Sequence, residues 1–166
     1  MRKNYENRGS RRTPRRALTS GVAGALVLTG LHEVARRLLP HAPRMDVIGE
    51  RALSRSLAAL GKRAPRGSRL FRATLAGELL SNTLYYSMAG AAARSRALPT
   101  GLLIGLAAGL GAVLLPPRLG LGRSPGSKAP LTPLLTVAWY TAGGLAAAAA
   151  ARLMHDDSEF AYDGAA

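Results

Sequence analysis

At 166 residues the chain is long enough for one domain, or one small bundle with tails. Hydrophobic residues make up 48% of it but aromatics only 5%, a balance that suits helices packed through small residues in lipid better than a soluble core, which draws its volume from larger side chains. A net charge of +14 would in a soluble protein point to nucleic acid, yet the 23 Lys and Arg sit in blocks between apolar runs, the pattern selected by phospholipid headgroups. The expected partner is therefore a bilayer with anionic headgroups, and no nucleic acid is expected. With no cysteine, disulfides, thiolate metal sites and Cys nucleophiles are excluded.

Residues 1–16, MRKNYENRGSRRTPRR, form a basic arm without apolar periodicity, expected to be disordered and drawn to anionic lipid. Arg11-Arg12 recurs in twin-arginine export signals, but Pro14, Arg15 and Arg16 stand where such a signal needs apolar residues. Leu31-His32-Glu33 also interrupts any small-x-small cleavage site, so a cleaved signal is not expected. Residues 17–37 read as a first membrane helix. Its apolar run to Ala35 covers about 29 Å at ~1.5 Å per residue, just enough for a ~30 Å hydrocarbon core. Ser20, Gly21, Gly24 and Ala25 give small-xxx-small spacing for helix contact. Glu33 precedes Arg36 and Arg37 by three and four residues, the favourable order for an ion pair, and so reads as an interfacial carboxylate rather than a catalytic one.

Residues 45–60, MDVIGERALSRSLAAL, are too polar to span. Arg51, Arg55 and Lys62 form one stripe, with Met45, Ala52, Leu53, Leu57 and Leu60 facing away and Ile48 on the border. A basic amphipathic helix lying in the headgroup plane is expected, its three cations facing lipid headgroups, with Asp46 near its N-cap and Gly61 as its stop. The basic turn 61–69 leads to residues 70–93. The run 73–93, ATLAGELLSNTLYYSMAGAAA, is expected to cross the bilayer while carrying a polar face.

On a helical wheel centred on Glu78, Thr74, Ser81, Asn82 and Tyr85 fall within about 60° and Tyr86 near 80°. Asn82 lies about 13 Å into the apolar run, close to the midplane, and Glu78 about 8 Å in. A carboxylate at that depth costs at least ~2.5 kcal/mol on insertion scales, so it should face protein or water. Glu78, Asn82, Tyr85, Tyr86 and Ser81, with His32 and Glu33 as neighbours, make the candidate polar intramembrane site. Three uses fit it: hydrogen-bonding glue between helices, a proton or cation step in a small transporter, or acid/base work on a lipid-like substrate by Glu78 with His32 or Glu33. Glue ranks first and catalysis last, because polar membrane residues are far commoner than catalytic ones.

Residues 98–115 read as the next helix, with Pro99 in its first turn and Gly101, Gly105 and Gly109 forming a ridge backed by Ala108 and Ala112. Each of these glycines would weaken a soluble helix by up to ~1 kcal/mol, so they mark a contact face, against the following helix or a second copy of the chain. They make no phosphate loop, for no Gly-Lys-Ser/Thr ending follows. After a Gly/Pro/Ser loop over 118–130, residues 131–153 form the last helix. Gly143, Ala147 and Ala151 make a second small-residue face there, and Trp139 and Tyr140 lie near its middle, where interior packing suits them better than an aromatic belt. Residues 155–166 are an acidic tail, expected to be disordered and solvated rather than metal-binding.

The expected class is all-α, an integral membrane bundle of about four helices with one basic amphipathic interfacial helix. If all four cross, the two sides carry ten and thirteen basic residues, which barely discriminates orientation. A re-entrant first helix would instead place twenty on one side and three on the other, a better match to the positive-inside rule. Four spans are kept because an apolar run of this length rarely fails to insert. No Ser-His-Asp order, HExxH or metal-spaced His pair is present, and the His32-Glu33 dipeptide lacks the second His of a zinc helix, so neither cofactor nor metal is expected. On architecture alone the chain resembles small multi-pass proteins of the bacterial inner membrane.

Overall fold

The computed structural model describes the backbone of residues 3–39, 42–125, 129 and 131–163, and the side chains among these from Pro14 to Met154. Five helices follow one another: α1 (Lys3–Leu38), α2 (Met45–Ala59), α3 (Ser68–Ala91), α4 (Arg94–Arg118) and α5 (Leu131–Asp163). Helix is the regular structure throughout the described residues, in agreement with the all-α expectation.

Three of these helices are long and apolar enough to cross a membrane: α1 over Pro14–Leu38, α4 over Arg94–Arg118, and α5 over Leu131–Met154. Helix α3 is not among them, which corrects the expectation that 73–93 is apolar enough in itself. Its 24 residues suffice in length, but Arg69, Arg72, Glu78 and the run Ser81-Asn82-Thr83 followed by two tyrosines lower its apolarity. Helix α1 is continuous, with no break where a re-entrant turn would need one. It begins at Lys3 rather than Ala17, carrying Pro14 within it, and α5 runs on to Asp163. The side chains of the basic arm up to Thr13, and of the acidic tail from His155, lie outside the described residues.

Helices α1, α3, α4 and α5 form an up-and-down bundle. Arg16 of α1 donates to the Gly90 carbonyl near the end of α3 (3.1 Å), and Arg36 lies over the ring of Phe71 near its start (5.6 Å), so the two run antiparallel. Helix α5 runs between α1 and α4, antiparallel to both, and α3 also touches α4 and α5. Helix α2 packs against α3 at the end where α1 and α4 finish.

Small residues make the interior. Buried positions are Ala17, Ala25, Ala35, Ala89, Ala97, Ala147, Ala148 and Ala151 with Ser20, Thr74, Thr132 and Thr136, while Leu28 and Tyr86 are the largest of the enclosed side chains. Leucines point outward instead: Leu26, Leu80, Leu84, Leu103, Leu110, Leu134 and Leu153 are each more than half exposed. A water-soluble bundle would place these the other way round, whereas a lipid-facing surface accepts leucine and gains by bringing backbones together.

The closest approaches follow from glycine. A Cβ at Gly105 would meet Thr141 Cα at 2.7 Å, and one at Gly109 would meet Val137 Cα at 2.6 Å. Gly101 lies directly against the Gly144 carbonyl. The α4 ridge thus packs on α5. Gly143 does not share that contact: it faces the Gly24 carbonyl of α1 and the Tyr86 hydroxyl of α3, and Ala147 likewise meets Gly24. Helix α5 therefore carries two small-residue faces one residue apart, Gly143/Ala147 toward α1 and Gly144/Ala148 toward α4.

Candidate functional site

The polar residues of α3 divide between two places. Near its C-terminal half, the Tyr85 hydroxyl donates to the Ile104 carbonyl of α4 (2.9 Å), and the Tyr86 hydroxyl donates to the Tyr140 carbonyl of α5 (2.8 Å). Their rings meet edge-on at 5.7 Å. Tyr86 is fully buried, and its hydroxyl reaches a helix carbonyl because Gly143 leaves room beside it. These two phenols tie three helices together at the level of the core.

Near its N-terminal half, α3 turns Thr74 and Glu78 toward α1 and α2. His32, Glu33 and Arg36 of α1, Asp46 of α2, and Phe71, Thr74 and Glu78 of α3 surround a cavity of about 20 Å³, roughly the space for a single water. The sequence-derived trio His32, Glu33 and Glu78 is thus brought together. Glu33 accepts from Arg36 at 2.6 Å and lies 3.9 Å from Arg37. Asp46 holds Arg44 through Nε and Nη2 at 2.8–3.2 Å. The His32 ring sits edge-on to Trp139 (5.3 Å) and Tyr140 (5.7 Å) of α5, which gives those aromatics the interior role expected of them.

Three buried polar atoms at this cavity have no hydrogen-bond partner among the described residues: His32 Nε2, Arg36 Nε and Thr74 Oγ1. The Glu78 carboxylate lies under α2, in contact with Gly49, where any side chain on α2 would collide with it. Asp46, Glu33 and Glu50 are the charged groups that act on it through space. Outside the spans, burial by itself would raise the Asp46 carboxyl. The hydrogen bonds and charge of Arg44, the Val47 N–H and the charge of Arg36 outweigh that burial and hold it below its ordinary value. The hydrogen bond to Asp46 correspondingly raises Arg44.

Two expected site residues stand apart. Ser81 is exposed and donates back to the Glu78 carbonyl (3.1 Å), and Asn82 is half-buried one turn beyond Glu78. The buried residues of α3 are Thr74, Tyr86, Ala89 and Gly90, so its inward direction is about 45° round from Glu78 toward Tyr86. That rotation leaves Ser81 on the outer side. Sequence reasoning missed Asp46 and Arg36 as partners around the cavity, and it placed Thr74 on the polar face of α3 with Glu78 without including it in the site. The signal available for α2 was Gly49, an interior helix glycine whose conformational cost is repaid by close approach to another element.

The basic stripe of α2 has a role beyond the headgroups expected for it. Arg51 donates to the carbonyls of Leu121 (3.0 Å) and Arg123 (3.3 Å), and Arg55 donates to that of Leu119 (2.8 Å). Helix α4 ends at Arg118 and is closed by Gly120, φ 71°, with Leu121 N–H returning to the Pro116 carbonyl and Gly120 N–H to that of Pro117. The carbonyls just past this cap have no helical partner, and the two guanidiniums supply one. Lys62, the third member of the stripe, is exposed. The end of α2 repeats the same cap at Gly61, its expected stop, while its seat on the bundle is Ile48 and Gly49 rather than the leucine side of the wheel.

Comparison with known proteins finds no match for this chain among family models, curated proteins or solved structures.

Proposed function

We propose that the chain is a multi-pass protein of the bacterial inner membrane whose α1, α3, α4 and α5 all cross the bilayer, and that its role there is structural or one of assembly with other membrane components. The observation that carries this reading is the use made of the polar groups. Tyr85 and Tyr86 donate to carbonyls of two neighbouring helices, and the cavity beside Glu78 is about 20 Å³, room for one water rather than a cargo. Anionic lipid, with a second copy of the chain or another membrane protein, makes up the partners.

A second reading has one observation in its favour. Glu78 lies with His32, Glu33 and Asp46 around a common cavity, and its carboxylate takes no hydrogen bond from a side chain among the described residues. A membrane carboxylate in such company is the usual element of a proton or cation step. Glu78→Gln separates the two, since it keeps the shape and most hydrogen bonding but cannot titrate. For a structural role, the variant retains its melting profile and any in-membrane cross-linked adduct. Proton-driven flux in proteoliposomes that the wild type supports and Glu78→Gln loses would overturn that role in favour of transport.

A further inference from the structure

The register of the α4 ridge changes before the helix ends. Positions 101, 105 and 109 are glycine, but the next two in the same register are Val113 and Pro117. Backbones held in contact as far as Gly109 and Val137 must part beyond that point, because a β-branched side chain and then a proline ring occupy the place of a hydrogen. A cleft of about 380 Å³ opens there between the end of α4 and the start of α5, a volume in the range of small-molecule sites. Its floor is apolar or neutral, with Ala112, Val113, Thr132 and Thr136, and Thr136 returns its hydroxyl to the Thr132 carbonyl (2.9 Å). Its mouth carries two exposed guanidiniums, Arg118 and Arg123.

We propose that this cleft binds one anionic phospholipid from the surrounding bilayer, an acyl chain lying between α4 and α5 and the phosphate resting between Arg118 and Arg123. The cleft sits at the end of a helix apolar enough to cross the membrane, so its mouth falls at headgroup depth. Its charge fits one class of occupant: a chain with a negative head satisfies both the apolar floor and the two cations that line the cleft, whereas a neutral lipid satisfies only the floor. No acidic side chain is among the described residues lining the cleft. Arg51 and Arg55 keep the 119–123 segment in place through its carbonyls, which holds Arg123 at the mouth without using its own side chain.

The inference rests on the membrane placement proposed above, which retention in alkali-washed membranes tests separately. Native mass spectrometry of the full chain in detergent, with phosphatidylglycerol or phosphatidylcholine of matched chains, reads the site directly. A cation near the headgroups contributes a factor of about five, so the pair gives about a thirtyfold preference for phosphatidylglycerol. The double variant Arg118→Gln with Arg123→Gln is expected to lose that preference. Arg63→Gln with Arg66→Gln, on the exposed turn at the same end, is expected to keep it. Ala112→Phe fills the floor without touching charge and is expected to weaken both lipids. Equal binding of the two lipids by the wild type would overturn the proposal. So would an equal loss in the Arg63/Arg66 variant, which marks general surface attraction, or full lipid binding by Ala112→Phe.

Discussion

Gly105→Ala adds one methyl group at the centre of the contact between α4 and α5. Its Cβ would lie 2.7 Å from Thr141 Cα and 2.9 Å from the Tyr140 carbonyl oxygen, both backbone atoms that cannot turn aside. Carbon atoms rest at about 3.5–4.0 Å, so α4 must retreat by about 1 Å. The same retreat opens the contacts of Gly101 with Gly144 and of Gly109 with Val137, which are backbone approaches of similar closeness. Overpacking of this kind costs about 1–3 kcal/mol, and at about 2–4 °C per kcal/mol the melting point in detergent falls by about 2–12 °C. Gly105→Leu is expected to fall further. The control is Gly30→Ala on α1, where nothing lies within 4 Å of the added atom. Alanine's better helix propensity makes that change neutral or stabilising by up to about 1 kcal/mol. Thermal unfolding in one detergent should therefore fall for Gly105→Ala, while Gly30→Ala melts with the wild type or above it. A Gly105→Ala protein that melts with the wild type would refute the close packing of α4 on α5.

Three further outcomes follow from named contacts. Tyr86→Phe removes the side-chain donor to the Tyr140 carbonyl and should destabilise the bundle by about 0.6–1.7 kcal/mol, measured by the same melting assay. Arg51→Gln together with Arg55→Gln removes the donors to the 119–123 carbonyls, and amide hydrogen exchange in that segment should quicken while exchange in α5 stays unchanged. The third concerns acid. Because the folded-state pKa of Asp46 is depressed, its ion pair with Arg44 stabilises the first turn of α2 at pH values above the ordinary carboxylate range of about 4, and that contribution fades as pH falls through the folded value. Exchange in α2 should be flat across neutral pH and rise only in acid, and Asp46→Asn should show the raised exchange at every pH.

The parts of the fold that were legible in the sequence are those set by a single helix. The ridge at Gly101, Gly105 and Gly109 could be read because interior glycine at four-residue spacing has a cost that only a contact face offsets. The polar stripe of α3 could be read from 3.6-residue periodicity, and it drew His32, Glu33 and Glu78 into one neighbourhood. What periodicity cannot supply is a rotation relative to neighbours. Ser81 lies only about 60° from Glu78 on the wheel, yet the buried face turns toward Tyr86 and leaves it outside. Gly143 and Gly144 are adjacent in sequence but serve different helices, a division that depends on α5 lying between α1 and α4. The role of Arg51 and Arg55 depended on a loop seventy residues away, whose glycines at 120 and 122 read only as turn formers. Helix α1 passes Pro14 without ending, since proline forfeits one backbone hydrogen bond but the continuous helix on its C-terminal side is already nucleated.

The crossing of all four bundle helices is most directly tested by side-specific labelling, for which the chain offers a background free of cysteine. Single variants Lys62→Cys, in the turn after α2, and Ser95→Cys, at the start of α4, place thiols at opposite ends of α3 on exposed positions. Intact cells or spheroplasts and inverted vesicles are each treated with a membrane-impermeant maleimide. Passage of α3 through the bilayer requires that one thiol be labelled from the outer face and the other from the inner face. Labelling of both from the same side would contradict it and leave the membrane crossed by α1, α4 and α5 alone.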